Sequence, residues 1–166
     1  MDKGAKFLVV QGLPPIGCLP LQLATSPSND RDQNRCSASA NLVIKGHNNL
    51  LQKRLVEIQT QYKDSMILYI DYYNAFKTIL EKHTQYQFDE PFKACCGAGG
   101  GPFNYQPKLP CGAFGTSNCK NSSTHINFDG VHLTENMHLH LFDLFFNQGF
   151  CTPSFADLIK KKKGQY

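Results

Sequence analysis

Phe128-Asp129-Gly130-Val131-His132-Leu133-Thr134 holds the residues best suited to chemistry. Asp129 and His132 are three apart, a spacing that lets both side chains face the same side of a turn. A carboxylate so placed can hold an imidazole in one tautomer and stabilise its imidazolium, which is the work of the Asp and His in a hydrolytic triad. Gly130 is expected to let the intervening backbone take positive φ without a Cβ penalty. The competing reading is that Asp129 caps the helix beginning just downstream and that His132 is an ordinary surface residue. A triad also needs a nucleophile, and no GxSxG elbow occurs in the chain.

Other chemistry-bearing residues carry weaker patterns. Gly97, Gly99, Gly100 and Gly101 form a glycine-rich run, but no GK[ST] follows and no strand is expected before it, so a phosphate cradle is not indicated. His138 and His140 are two apart on an expected helix and point in different directions, which disfavours a shared metal ion. The seven cysteines are Cys18, Cys36, Cys95, Cys96, Cys111, Cys119 and Cys151, and none forms a CxxC pair of the zinc-ribbon or thioredoxin kind. Disulfides formed in an oxidising compartment fit this density better. Cys18 and Cys36 bracket a polar loop, residues 25–34, and are the first choice for a bridge. Cys95, Cys96, Cys111 and Cys119 can close a longer loop in a connectivity that sequence leaves open. Asn121-Ser122-Ser123 is an N-glycosylation sequon and agrees with secretion.

The elements that must position these residues follow from the apolar pattern. Phe7-Leu8-Val9-Val10 reads as a buried strand emptying into the rigid loop Gln11-Gly12-Leu13-Pro14-Pro15, and Met66-Ile67-Leu68-Tyr69-Ile70 reads as a second strand. Between them Leu51, Leu55, Ile58 and Tyr62 recur at helical spacing. Strand, long helix, strand is the crossover of a parallel βαβ unit, with the usual right hand. A weaker helical pattern, with Phe76 and Leu80 four apart, covers residues 71–82. Residues 83–127 then show no apolar repeat, so they are expected to be a long loop stapled by cysteines. Order returns at Thr134, an N-cap residue, with Glu135 in the first turn and Met137, Leu141, Leu144 and Phe145 on one face. Gly149 is placed to end that helix. Two parallel strands need covering helices and further strands, so the pattern predicts part of a larger α/β domain.

Composition narrows the function. With 166 residues, 41% hydrophobic and 18% charged, the chain is globular. Its formal charge of +4 is matched by Lys160, Lys161, Lys162 and Lys163, a basic tail over residues 160–166, while the body is near neutral and lacks the basic face of a nucleic-acid binder. The opening Met1-Asp2-Lys3-Gly4-Ala5-Lys6 has no signal-peptide pattern, and no apolar run reaches the length of a membrane span.

Three blocks in order carry a family resemblance. Gly12-Leu13-Pro14-Pro15-Ile16-Gly17-Cys18-Leu19-Pro20 is similar to a GxPPxGCxP block, and Ala94-Cys95-Cys96-Gly97-Ala98-Gly99-Gly100 to a paired-cysteine glycine-rich block. Phe128-Asp129-Gly130-Val131-His132-Leu133-Thr134-Glu135 is similar to the WDxxHPTE block, with Phe128 for Trp and Leu133 for Pro. On these blocks the chain resembles the plant-type GDSL esterase/lipase family of the SGNH hydrolase superfamily, over nearly its whole length. The resemblance implies the C-terminal half of a flavodoxin-like α/β/α domain with a parallel sheet, residues 1–166 forming a partial domain. It implies a secreted carboxylic ester hydrolase without metal or cofactor, acting on small-molecule or lipid esters, in which Asp129 and His132 follow a serine nucleophile. The family's GDS block and its Gly and Asn oxyanion blocks have no match here. Lys63-Asp64-Ser65-Met66 has Lys in place of Gly and precedes a strand, where a nucleophile should follow one. The chain alone is therefore expected to be inactive, and the alternative is a non-catalytic remnant or binding protein.

Overall fold

A computed structural model describes residues 1–164. The expected βαβ unit is present: β1 (Phe7–Gln11) runs parallel to β2 (Met66–Ile70), in register from Phe7↔Met66 to Gln11↔Ile70. The crossover contains a short helix, α1 (Pro20–Thr25), and a long one, α2 (Ala38–Gln61). Pro20 occupies the first turn of α1, where its missing N–H leaves no bond unmade. Ser37 caps α2 by accepting from the Ala40 amide, and Asp30 in turn accepts from the Ser37 hydroxyl and from the amide and hydroxyl of Ser39.

Residues 72–81 form α3 (Tyr72–Glu81), capped by Asp71, whose side chain accepts from the Asn74 amide. Then come β3 (Glu90–Ala94), β4 (Cys96–Gly97), β5 (Ser117–Asn118) and β6 (His125–Asn127). The chain continues with α4 (Glu135–Asn147), β7 (Cys151–Thr152) and α5 (Phe155–Lys163). Gly149, at φ 86°, supplies the left-handed residue that ends α4, and the Phe150 amide returns to the Leu144 carbonyl.

Strand alternation divides the layers. Leu68 and Ile70 turn into a core shared with Phe76 and Ile79 of α3, Met137, Leu141 and Leu144 of α4, and Leu158 of α5. Leu8, Val10 and Ile67 face Leu55 and Ile58 of α2 on the other side. The result is helix, sheet, helices, an α/β fold as expected. Met137, Leu141 and Leu144 are buried, and each contributes on the order of 1.5–3 kcal/mol of burial free energy. Among the described residues no helix is long and apolar enough to cross a membrane.

Several expectations change. The run at β1 is not buried: Val9 is 46% exposed, because β1 is the edge of a three-stranded sheet ordered β1-β2-β7. That sheet is mixed, since β7 pairs antiparallel to β2. Residues 83–127 are not one continuous loop. β3 pairs parallel to β6, and β4 antiparallel to β5; β4, β5 and β6 have only two or three residues, and β3 carries Pro91 and two charged residues in place of an apolar run. The basic residues Lys160–Lys163 are the last turn of α5, where cations complement the helix dipole, and residues 165–166 of the expected tail lie outside the described residues.

The cysteines form three disulfides, Cys18–Cys36, Cys95–Cys119 and Cys96–Cys111. The first is the bridge expected around the 25–34 loop. Cys151 is free and buried.

Candidate active site

The turn that carries Asp129 and His132 is built from its ends inward. β6 leads into it, and an antiparallel bridge between Asn127 and Leu133 closes its base. The Phe128 amide donates to the His132 carbonyl at 2.8 Å. On the far side Thr134 bonds β6 through its hydroxyl, to the His125 carbonyl at 2.7 Å, and its Oγ1 also caps α4 by accepting from the Met137 amide. Thr134, not Asp129, is thus the cap of the following helix. The reading of Asp129 as a helix cap is set aside on that ground.

Asp129 instead spends its carboxylate inside the turn. Oδ1 accepts from the amides of Val131 and His132, both at 2.7 Å, and Oδ2 lies 2.8 Å from His132 Nδ1. Partial burial pushes the Asp129 carboxyl up, but the His132 amide, the His132 ring and the Val131 amide outweigh it and hold the group below its ordinary value. A carboxylate on Nδ1 requires the ring proton there, so the lone pair of the neutral imidazole is on Nε2. The His132 side chain is 77% exposed and that of Asp129 21%. Nε2 therefore has solvent access, and the pair has the geometry of an oriented general base.

Gly130 contributes differently from the expectation. Positive φ is found at seven glycines, and Gly130 is not one of them. A Cβ at Gly130 would fall deep inside the ring of Tyr105, against Cε2 and Cδ2. The requirement is for close approach and not for backbone freedom.

The GxPPxGCxP-like loop is held beside this turn by residues that apolar periodicity does not reveal. Asn48, buried on α2, accepts from the Leu13 amide at 2.8 Å and donates to the Leu13 carbonyl at 2.9 Å. Asn41 accepts from the Gly17 amide at 2.9 Å, and the Cys18–Cys36 disulfide ties the loop to the start of α2. Just after this loop, in the first turn of α1, the Leu21 amide donates to the Gly130 carbonyl at 3.0 Å. The residue that follows the first sequence block thus meets the third block directly.

The second block meets the same turn. The Cys95 amide donates to the Asn127 carbonyl and the Cys96 amide to the Phe128 carbonyl, at 3.0 and 2.6 Å. Three segments far apart in sequence therefore converge on residues 127–133. Such a convergence is what a family pattern of three separated blocks should describe, and residues 1–145 match GDSL-like Lipase/Acylhydrolase. The chain belongs to the GDSL-like lipase/acylhydrolase family.

Curated relatives agree. The chain is similar to a GDSL esterase/lipase of Arabidopsis thaliana, 40% identical over 98% of the chain and 42% of the relative. A second Arabidopsis thaliana GDSL esterase/lipase is 40% identical over 80% of the chain and 41% of its own length. Acetylajmalan esterase 2 of Rauvolfia serpentina is 36% identical over 83% of the chain and 38% of the relative. The chain spans about two-fifths of the length of these relatives.

The remaining candidates lie elsewhere. Ser65 is buried at the entry to β2, where its hydroxyl donates to the Ala5 carbonyl, at the opposite end of the strand from the Gly12–Gly17 loop. His140 packs edge-on against Tyr86 and Phe88, while His138 is exposed. A groove of about 860 Å³ runs between α2 and the β2–β7 edge, lined by Leu55, Val56, Tyr69 and Phe150 among others, and does not touch the Asp129–His132 pair. The pair is an open surface feature.

Proposed function

We propose that the complete protein is a carboxylic ester hydrolase and that this chain supplies Asp129 and His132 of its Ser-Asp-His triad. The observation that carries the reading is the Asp129 Oδ2 to His132 Nδ1 contact at 2.8 Å on an exposed ring, within a family of ester hydrolases. His132 Nε2 takes the proton from a serine hydroxyl as its oxygen attacks the ester carbonyl carbon, and Asp129 stabilises the resulting imidazolium. The imidazolium returns that proton to the departing alkoxide, leaving an acyl-enzyme. Water then attacks the acyl carbon with one proton passing to Nε2, and the imidazolium returns that proton to the serine oxygen as the acyl–oxygen bond breaks and the carboxylic acid departs.

The serine is assigned to a segment outside this chain, residues 1–166 being the C-terminal part of the domain. Ser65 does not serve, because it is buried at the far end of β2. The substrate class is a small-molecule or lipid ester, and the name of the Rauvolfia serpentina relative supports an ester of a plant metabolite. Three disulfides and the exposed Asn121 of the sequon support secretion with a glycan at Asn121.

One observation favours a second reading, a non-catalytic remnant or binding protein: no nucleophile block occurs in these 166 residues. Hydrolysis of p-nitrophenyl acetate by the complete protein and by this chain separates the two. The hydrolase reading expects turnover by the complete protein that His132→Ala reduces by roughly 10⁴-fold or more, and none by the chain alone. Turnover that survives His132→Ala overturns the mechanism. A complete protein without turnover establishes the second reading.

A further inference from the structure

We propose that Tyr105 is the positioning residue of the Asp129–His132 turn, acting through its ring on Gly130, with the cysteine-stapled loop as its mount. The inference rests on the reading of that turn as part of a hydrolytic triad.

The observation behind it is the space that Tyr105 takes. Its Cδ2, Cε2 and Cζ occupy the position a side chain at residue 130 would need. Since Gly130 does not use the left-handed conformation, the ring is what demands glycine there. Residue 130 is thereby clamped from two directions, by the Leu21 amide on its carbonyl and by the Tyr105 ring on its α-carbon. The two residues that follow it, Val131 and His132, are those whose amides bind Asp129 Oδ1. Displacing residue 130 therefore disturbs both amide bonds to the carboxylate that orients the ring of His132.

The mount is unusually well tied for an irregular segment. The Cys96–Cys111 disulfide closes the loop that contains Tyr105, and Cys95–Cys119 closes a second ring around it. Asn104, its buried neighbour, donates through Nδ2 to the Ala94 carbonyl at 3.1 Å, and the Ala94 amide donates to the Phe103 carbonyl at 2.9 Å. Tyr105 is thus fixed relative to the end of β3, which pairs with β6, the strand that enters the turn. The Tyr105 hydroxyl makes no hydrogen bond among the described residues, so the ring is the working part. Catalytic groups must be held to within about 0.5 Å, and a displacement of about 1 Å in the geometry can cost on the order of 10²-fold in rate.

The test is hydrogen exchange followed by mass spectrometry across residues 128–147 in the complete protein, for Tyr105→Phe, Tyr105→Ala, Gly130→Ala and the double variant Tyr105→Ala/Gly130→Ala. Tyr105→Phe is expected to match the parent. Tyr105→Ala and Gly130→Ala are each expected to speed exchange at Val131 and His132 by roughly tenfold while the α4 amides stay protected. The double variant is expected to be no worse than Tyr105→Ala, because removing the ring removes the clash. In the complete protein, Tyr105→Ala is expected to lower kcat for p-nitrophenyl acetate with KM unchanged. Unchanged exchange in Tyr105→Ala, loss of protection throughout α4, strict additivity in the double variant, or failure of Tyr105→Phe to match the parent would each overturn the proposal. A complete protein without esterase activity sinks the hydrolase reading but leaves the exchange result to decide the role of Tyr105.

Discussion

Asp129 binds His132 twice, taking its backbone amide on Oδ1 at 2.7 Å and its ring Nδ1 on Oδ2 at 2.8 Å. One carboxylate therefore fixes both the path of the turn and the orientation of the imidazole. A histidine with a 77% exposed side chain would otherwise sample several rotamers, and the second bond restricts it to those that keep Nδ1 on the carboxylate.

This double use predicts a large effect for a small change. Asp129→Asn replaces a double acceptor by a group that can accept on one side only. It can neither stabilise the imidazolium nor hold the productive tautomer. In the complete protein we expect kcat for p-nitrophenyl acetate to fall by roughly 10³–10⁴-fold. A loss of tenfold or less, measured at neutral pH, would show that Asp129 is not the orienting carboxylate.

What the sequence revealed and what it hid divide along physical lines. The α4 helix was legible because Thr134, Met137, Leu141, Leu144 and Gly149 are a cap, an apolar stripe and a stop, all local signals. The first half of α2 was not, since its buried face carries Asn41 and Asn48, whose work is to bond the loop after β1. Hydrophobic periodicity cannot see a helix face built from amides. β3 and β6 escaped notice for different reasons: β3, Glu90-Pro91-Phe92-Lys93-Ala94, carries a proline and two charges where an apolar run would mark a strand, and β6 has only three residues. Gly130 was legible as a special position, but its cause is the Tyr105 ring, 25 residues upstream in sequence, and no local rule connects the two. The Asp129–His132 pair was legible because its spacing is local. The loops that buttress it were legible only as family blocks.

The disulfide pattern predicts a simple labelling result. Peptide mapping without reduction should recover Cys18–Cys36, Cys95–Cys119 and Cys96–Cys111 intact, and alkylation of unfolded, unreduced protein should mark Cys151 alone. Replacing Cys18 and Cys36 together by alanine should lower the unfolding free energy by about 3 kcal/mol, the loop-closure entropy for a ring of this size. Denaturant titration measures it. Alkylated Cys18 and Cys36 from unreduced protein would contradict the assignment.

The open edge of β1 predicts self-association of this chain on its own. β1 has β2 on one side only, and Val9 on the strand is 46% exposed, as are Leu42, Val43, Leu50 and Val56 on α2 at 65–71%. Unpaired strand edges beside exposed apolar side chains recruit other chains. Light scattering after size exclusion should find oligomers, and Val9→Lys should shift them toward monomer. A monomeric parent with strong amide protection throughout β1 would refute the argument.

The start of α2 predicts an acid-sensitive element at Asp30. The Ser37 hydroxyl, followed by the amide and hydroxyl of Ser39, donates to this carboxylate and holds its pKa at about 2, below the ordinary 3.8. Because Ser37 also caps α2, the carboxylate supports the N-terminus of the helix whose Asn41 and Asn48 hold the loop beside the candidate active site. A group whose folded pKa is depressed stabilises the fold above its unfolded value and loses that contribution as pH falls through its folded value. For Asp30 the window is therefore from about 3.8 down to about 2. Asp30→Asn removes the charge at every pH, so it should lower Tm at neutral pH, and the gap from the parent should close across that window. Thermal melts of the two proteins from pH 7 to pH 2 measure the gap directly. A gap that stays constant through the window would mean that Asp30 acts through shape alone, and no gap at neutral pH would mean that its hydrogen bonds to Ser37 and Ser39 do not support α2.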